Sequence, residues 1–129
     1  MKVGRLKPEF IDRTEDFADR CVAVAEQLDR DGRFPRIVEQ LACSGSAVGA
    51  NIAEADEAMS RPDFRKCMAI AAKELAETRF WIRLAVRRGW ITEARVEPLA
   101  AELEELRKIV GSVLARTHPT RRAQPSRTQ

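Results

Sequence analysis

Residues 64–85 read FRKCMAIAAKELAETRFWIRLA, and small or apolar side chains return within them at alternating steps of four and three. The positions that repeat in this way are Phe64, Met68, Ala71, Leu75, Thr78, Ile82 and Ala85. An α-helix turns once in about 3.6 residues, so these steps place all of the side chains on one stripe of a helix. The segment therefore predicts an amphipathic helix that turns one face to a core.

The same periodicity occurs on both sides of this segment. It is found at Phe17, Cys21, Val24 and Leu28, at Val38, Leu41, Gly45, Val48, Ile52, Ala55 and Met59, and at Val96, Leu99, Leu103, Leu106, Val110 and Val113. No segment alternates with a period of two, so no strand is expected. Short connections between four such helices favour antiparallel neighbours. The sequence therefore predicts an all-α, antiparallel up-down-up-down four-helix bundle over residues 1–118, and a disordered basic tail over residues 119–129.

The predicted helices begin and end at residues with known capping preferences. Ser60 and Thr92 are placed to act as N-caps of the third and fourth helices. Gly32 and Gly89 follow the first and third helices and are expected to terminate them.

Two more glycines, Gly45 and Gly49, lie inside the second helix, where each costs up to ~1 kcal/mol relative to alanine. We expect the close approach of another helix to offset this cost. A catalytic role for Ser44 or Ser46 is disfavoured, because the chain has a single histidine, His118, far along the sequence.

The composition gives a formal net charge of +3 and a pI near 9.0 for the 129 residues. The three cysteines Cys21, Cys43 and Cys67 lie in apolar helical stretches without CxxC spacing, which predicts buried, reduced thiols. No apolar run approaches the ~18 residues that a membrane span requires. We therefore expect a cytoplasmic protein that does not enter a membrane.

Positive charge is concentrated in the third helix and the turn after it. Residues 60–91 contain eight basic and three acidic residues. Arg79, Arg83 and Arg87 are spaced by four, so they form one ridge that could follow a phosphate backbone. The candidate nucleic-acid-binding residues are Arg65, Lys66, Arg79, Arg83, Arg87 and Arg88. Alternatively, these side chains form a solvated face or pair with acids on a neighbouring helix or subunit.

Five polar residues lie beside the apolar stripes of the second and third helices. They are Asn51, Glu54, Lys73, Glu74 and Glu77, and we interpret them as a structural network that sets the register of the two helices. The alternative is a metal site at Glu54, Glu74 and Glu77. It is disfavoured because carboxylate sites in bundles generally use Glu-x-x-His pairs, so no metal or cofactor is expected.

Apolar residues on more than one side of the third helix, Phe80 and Trp81 among them, favour self-association.

Three linked motifs resemble a known family. Residues 44–55, SGSAVGANIAEA, resemble the SxxSIGANIxEA signature of the bacterial four-helix bundle protein family, also described as intervening-sequence proteins of large-subunit ribosomal RNA genes. Residues 60–64, SRPDF, are similar to its SxxDF segment, and residues 73–84, KELAETRFWIRL, to its KExxETxYWLRL segment. The resemblance covers about residues 14–116.

The resemblance implies a homopentamer without catalytic activity. A related branch, the accessory protein of diversity-generating retroelements, implies a basic barrel that binds nucleic acid and a reverse transcriptase. The five polar residues above, together with Arg79 and Arg83, match motif positions. Residues 39–43 lack the arginine-rich lead-in of many members, and Asp56 and Glu57 add acids, which weakens the case for nucleic-acid binding by the second helix.

We therefore expect a small, non-enzymatic, oligomeric bundle protein, with the pentamer as the favoured assembly. Its basic third helix would bind structured RNA, or alternatively DNA, or a ribonucleoprotein. A reverse transcriptase and a ribosomal component are the candidate protein partners. The alternative is an assembly module that binds other proteins and no nucleic acid.

Overall fold

The computed structural model describes residues 6–119, which contain four α-helices and no strand. The helices are α1 (Pro8–Arg30), α2 (Pro35–Asp56), α3 (Arg61–Arg87) and α4 (Glu93–Arg116). The first five residues of the predicted domain lie outside the described residues. So does the predicted tail, except Pro119.

Each helix packs against the next one along the chain, and the connections between them are short. α2 makes extensive contacts with both α1 and α3, whereas α3 packs less extensively on α4, and α1 least on α4. The seam between α1 and α4 is held by Arg13, whose Nη2 and Nε lie 2.7 and 3.0 Å from the two carboxylate oxygens of Glu102. This arrangement confirms the predicted antiparallel up-down-up-down bundle. None of the described helices has an apolar stretch long enough to cross a membrane.

The predicted stripes form the core, with two exceptions. Val24 is only partly buried, and Ala25 beside it is buried instead. Met59 is 63% exposed because α2 ends at Asp56, so its side chain belongs to the turn and not to the helix. In addition, α1 begins at Pro8, which buries Phe10 and Thr14 ahead of the predicted stripe.

The predicted caps are confirmed. Ser60 Oγ accepts a hydrogen bond from the backbone N–H of Asp63 at 3.2 Å, and Thr92 Oγ1 accepts one from that of Arg95 at 3.3 Å. Gly32 and Gly89 both adopt φ +72°, a conformation that glycine reaches without a steric penalty. These glycines therefore end α1 and α3 as predicted.

The two helix-interior glycines are explained by the contact between α1 and α2. A Cβ atom on Gly45 would overlap Cys21 Cβ and lie 2.7 Å from Cys21 Sγ, and one on Gly49 would lie 3.2 Å from the carbonyl oxygen of Thr14. The predicted close approach of another helix is confirmed, and that helix is α1.

The three cysteines occupy three different environments. Cys21 is buried, and burial raises the pKa of its thiol to about 12. Cys67 is partly buried, whereas Cys43 is exposed, so the prediction of a buried thiol is wrong at Cys43. Cys43 follows the buried Leu41 by two residues, a rotation of about 200° around the helix, which turns it outward despite its apolar neighbours.

Candidate nucleic-acid interface

The predicted ridge lies in a groove between α3 and α4. Arg79, Arg83 and Arg87 line a groove of about 590 Å³, and Glu93 and Glu97 of α4 line its opposite side. The spacing of four along α3 thus brings the three arginines together as expected, but beside acids from α4. The ridge is therefore a mixed surface and not a purely basic one.

Arg79 is engaged inside the molecule. Its Nη1 lies 3.4 Å from Glu104 Oε2, and the other oxygen of Glu104 lies 3.0 Å from Arg107 Nη1. These side chains are each more than a third exposed, so the ion pairs add little to stability. They do offset part of the positive charge at this point of the ridge.

The side chains of Arg83, Arg87 and Arg88 are exposed and make no hydrogen bond or ion pair with another residue of the described part of the chain. They occupy the last two turns of α3 and the residue that follows it. Their charges are therefore available to an external anion.

Arg65 and Lys66 lie at the opposite end of α3, about 30 Å from Arg87 at 1.5 Å per residue. Arg65 Nη1 donates to the carbonyl oxygen of Leu114 at 2.7 Å and to Thr117 Oγ1 at 2.6 Å. These bonds satisfy the end of α4 and give Arg65 a structural role, whereas Lys66 is exposed. A nucleic-acid role for both residues stays a prediction.

No hydrogen bond or ion pair joins any two of the five polar residues of the predicted network in residues 6–119. Asn51 Nδ2 donates to the carbonyl oxygen of Ala47 at 2.8 Å, and Glu77 accepts from Trp81 Nε1 at 3.1 Å. The other three members are Glu54, Lys73 and Glu74. The role of all five residues in setting the register of α2 against α3 stays a prediction.

A different polar contact joins α2 to α3. Ser44 Oγ and Thr78 Oγ1 are both buried and lie 2.9 Å apart, and Thr78 Oγ1 also lies 2.7 Å from the carbonyl oxygen of Glu74. Sequence reasoning placed Thr78 on the stripe but did not pair it with Ser44. The available signal was a hydroxyl residue, Ser44, next to the α2 stripe and another, Thr78, on the facing α3 stripe.

The carboxyl group of Glu74 has a raised pKa. Partial burial raises its pKa most, the nearby charge of Glu77 raises it further, and Lys73 lowers it. No group of three or more His, Cys, Asp and Glu side chains in residues 6–119 is placed to hold a metal ion.

We expect Glu74→Gln to raise the melting temperature at neutral pH. Because folding raises the pKa of Glu74 above its ordinary value of 4.5, ionisation of this carboxyl group lowers the stability of the folded chain at neutral pH. The advantage of the variant should therefore disappear as the pH falls below about 4.5. Thermal unfolding across pH measures this, with Glu97→Gln as the control for removing an exposed carboxylate. A lower melting temperature for Glu74→Gln at neutral pH would contradict the assignment.

The outer face of α2 has an unusual composition for an exposed helix surface. Residues 40–53 contain no charged residue, although Cys43, Ser46, Ala50 and Ala53 are exposed. Phe80 on α3 is 57% exposed and stacks edge-on against Trp81, with ring centroids 4.9 Å apart. Exposed helix surface without charge, and an exposed aromatic ring such as that of Phe80, are each typical of a surface that another protein covers.

Comparison with known proteins agrees with this architecture. The chain is similar to a protein of unknown function from the S23 ribosomal protein family of Bacteroides thetaiotaomicron VPI-5482, whose crystal structure was determined at 1.70 Å resolution. The two sequences are 33% identical, and the two structures superpose with a TM-score of 0.78. The match covers 81% of this chain and 97% of that one. No protein with a curated description matches. The family described as "23S rRNA-intervening sequence protein" matches residues 7–112, and the chain belongs to this family.

Proposed function

We propose that the protein is a non-enzymatic, cytoplasmic bundle protein that self-associates and binds structured RNA, or a ribonucleoprotein, through the outer surface of α3. The observation that carries the RNA-binding part is the exposure of Arg83, Arg87 and Arg88 without intramolecular partners in the described residues. Arginine binds phosphate through several donors at once, which suits this site to a phosphate backbone.

Self-association, if it occurs as proposed, would serve the same function. Three exposed arginines in one subunit form a small site, whereas a closed ring repeats that site around an axis. The homopentamer that the family resemblance implies would present five such groups. The uncharged outer face of α2 is the surface on which subunits would pack.

The names of the relatives indicate the class of partner. The family description refers to 23S rRNA, and the solved relative is assigned to the S23 ribosomal protein family. We therefore favour ribosomal RNA or a ribosomal component as the target of the α3 surface. A reverse transcriptase is the other partner that the resemblance implies.

A second candidate function is an assembly module that binds proteins and no nucleic acid. It is favoured by the acids beside the ridge, since Glu104 contacts Arg79 and Glu93 and Glu97 line the same groove. Under this hypothesis, the remaining arginines would pair with acids of a neighbouring subunit. Native mass spectrometry of protein purified without nuclease separates the two hypotheses, because it reports the subunit number and any bound RNA together.

We expect Ala50→Glu to convert the oligomer into a monomer. Ala50 is exposed on the outer face of α2, so a charge there leaves the bundle intact but would be buried in a subunit interface without a partner. Light scattering coupled to size-exclusion chromatography measures the change. Ala101→Glu, at an exposed alanine of α4, is the matched control and should keep the parent subunit number. A variant at Ala50 that assembles like the parent would remove this face as the interface.

A further inference from the structure

The turn between α1 and α2 and the turn between α3 and α4 meet at one end of the bundle. Each turn contains a glycine with φ +72°. In each turn, the residue after the glycine donates its backbone N–H to the carbonyl oxygen of the residue five positions earlier. Arg33 donates to Leu28, and Trp90 donates to Ala85. The two turns therefore have the same Schellman geometry, which presets the positions of Arg33 and Trp90.

These two side chains are in contact. The Arg33 guanidinium carbon lies 5.9 Å from the centroid of the Trp90 ring, within the range of a cation–π interaction. Arg33 makes no side-chain hydrogen bond or ion pair with another described residue, and its Nε is buried without a partner. Packing against the indole, and not an acid, therefore holds this guanidinium in place.

The same end of the bundle is basic. Residues 33–38 and 83–91 contain five arginines and no acid. The nearest acids along the chain are Asp31, Glu39 and Glu93, and Asp31 Oδ1 accepts a hydrogen bond from Gln27 Nε2 at 3.0 Å. Arg36, Arg87 and Arg88 are exposed, like Arg83, and form no ion pair with another described residue.

Aromatic surface accompanies this charge. Phe34, directly after Arg33, is 61% exposed, and Trp90 is partly exposed. Phe34 directly precedes α2 and adds little to the core, because most of its surface is exposed. Aromatic rings and guanidinium planes are the groups on which unpaired bases stack, while arginines hold the phosphates between them.

From this combination we infer that the surface formed by Arg33, Phe34, Arg36, Arg87, Arg88 and Trp90 binds an unpaired segment of RNA. Bases stack on Phe34 and on the Arg33–Trp90 pair, and Arg36, Arg87 and Arg88 contact the phosphates. An uninterrupted duplex offers phosphates but no open base faces, so it lacks the stacking contacts. This inference rests on the proposed function and specifies its substrate class as single-stranded loops, bulges or ends.

The test compares two RNA probes at one salt concentration. One is a single strand of roughly 12 adenines and cytosines, and the other is a blunt duplex of the same length. Phe34→Ala is expected to weaken binding of the single strand about tenfold and to leave duplex binding within about twofold of the parent. Phe34→Tyr, which keeps an aromatic ring, should restore the parent affinity for the single strand.

Met59→Ala is the matched control. Met59 is 63% exposed, much like Phe34, but lies after α2 and so about 33 Å away at the other end of the bundle. It should change binding of neither probe. Equal loss for both probes in Phe34→Ala, or no loss for either, would overturn the inference while the proposed function stands. Binding of only the duplex by the parent protein would also overturn the inference alone. Binding of neither probe by the parent protein would overturn both the inference and the proposed function.

Discussion

Replacing Gly45 with alanine is expected to lower the free energy of unfolding by about 2–3 kcal/mol. The added methyl group would overlap the Cβ of Cys21 and lie 2.7 Å from its Sγ, so α1 and α2 would have to move apart. Cys21 sits in the middle of α1 and is fully buried, which prevents a small rotation of its side chain from relieving the overlap. Chemical denaturation followed by far-ultraviolet circular dichroism measures the change.

Two other glycines provide the controls for this variant. Gly111→Ala, in α4, should raise stability by about 0.5–1 kcal/mol, because nothing lies within 4 Å of the added atom and alanine is the better helix former. The free energy of unfolding of Gly49→Ala should lie between those of the Gly45 and Gly111 variants, since its Cβ would lie 3.2 Å from the backbone oxygen of Thr14. The three variants must be compared at one protein concentration, because self-association would make apparent stability depend on it. A Gly45 variant as stable as the parent would show that α1 and α2 do not approach this closely.

The fold could be predicted from sequence because each helix carries its own periodic stripe. A stripe is a local property, so the residues from Phe64 to Ala85 identify a buried face without any knowledge of what they contact. The same local reasoning failed at Met59, where the stripe pattern continued past the end of α2 at Asp56. It failed at Cys43 because apolar neighbours in sequence do not determine which way a helical residue points.

The candidate site was less predictable because its properties depend on partners from other helices. Arg65 and Arg79 look alike in sequence, yet one satisfies the end of α4 and the other pairs with Glu104. Sequence spacing placed Arg79, Arg83 and Arg87 on one ridge, and it could not show that α4 lines that ridge with acids. The contact between Arg33 and Trp90 joins residues 57 positions apart, and only the meeting of two turns reveals it.

The charge-reversal variant Arg83→Glu with Arg87→Glu is expected to weaken RNA binding at least tenfold at physiological salt. Each arginine that contacts a phosphate releases a counterion, so the slope of log K against log salt should become shallower by about one unit per lost contact. Arg79 is left unchanged because reversing its charge would also disturb Glu104, and a loss of binding could then reflect a rearranged groove. Fluorescence anisotropy of a labelled RNA hairpin over a range of salt concentrations gives both quantities.

Lys108→Glu with Arg116→Glu makes the same change in net charge on exposed residues of α4 and is the matched control. If it weakens binding as much as the α3 variant, overall charge and not the α3 surface governs the affinity. Subunit number separates the remaining hypotheses. The α3 variant should stay oligomeric if Arg83 and Arg87 face RNA, because the proposed interface lies on the outer face of α2. If the variant instead dissociates into monomers, these arginines pair with a neighbouring subunit, and the assembly module becomes the better description of the protein.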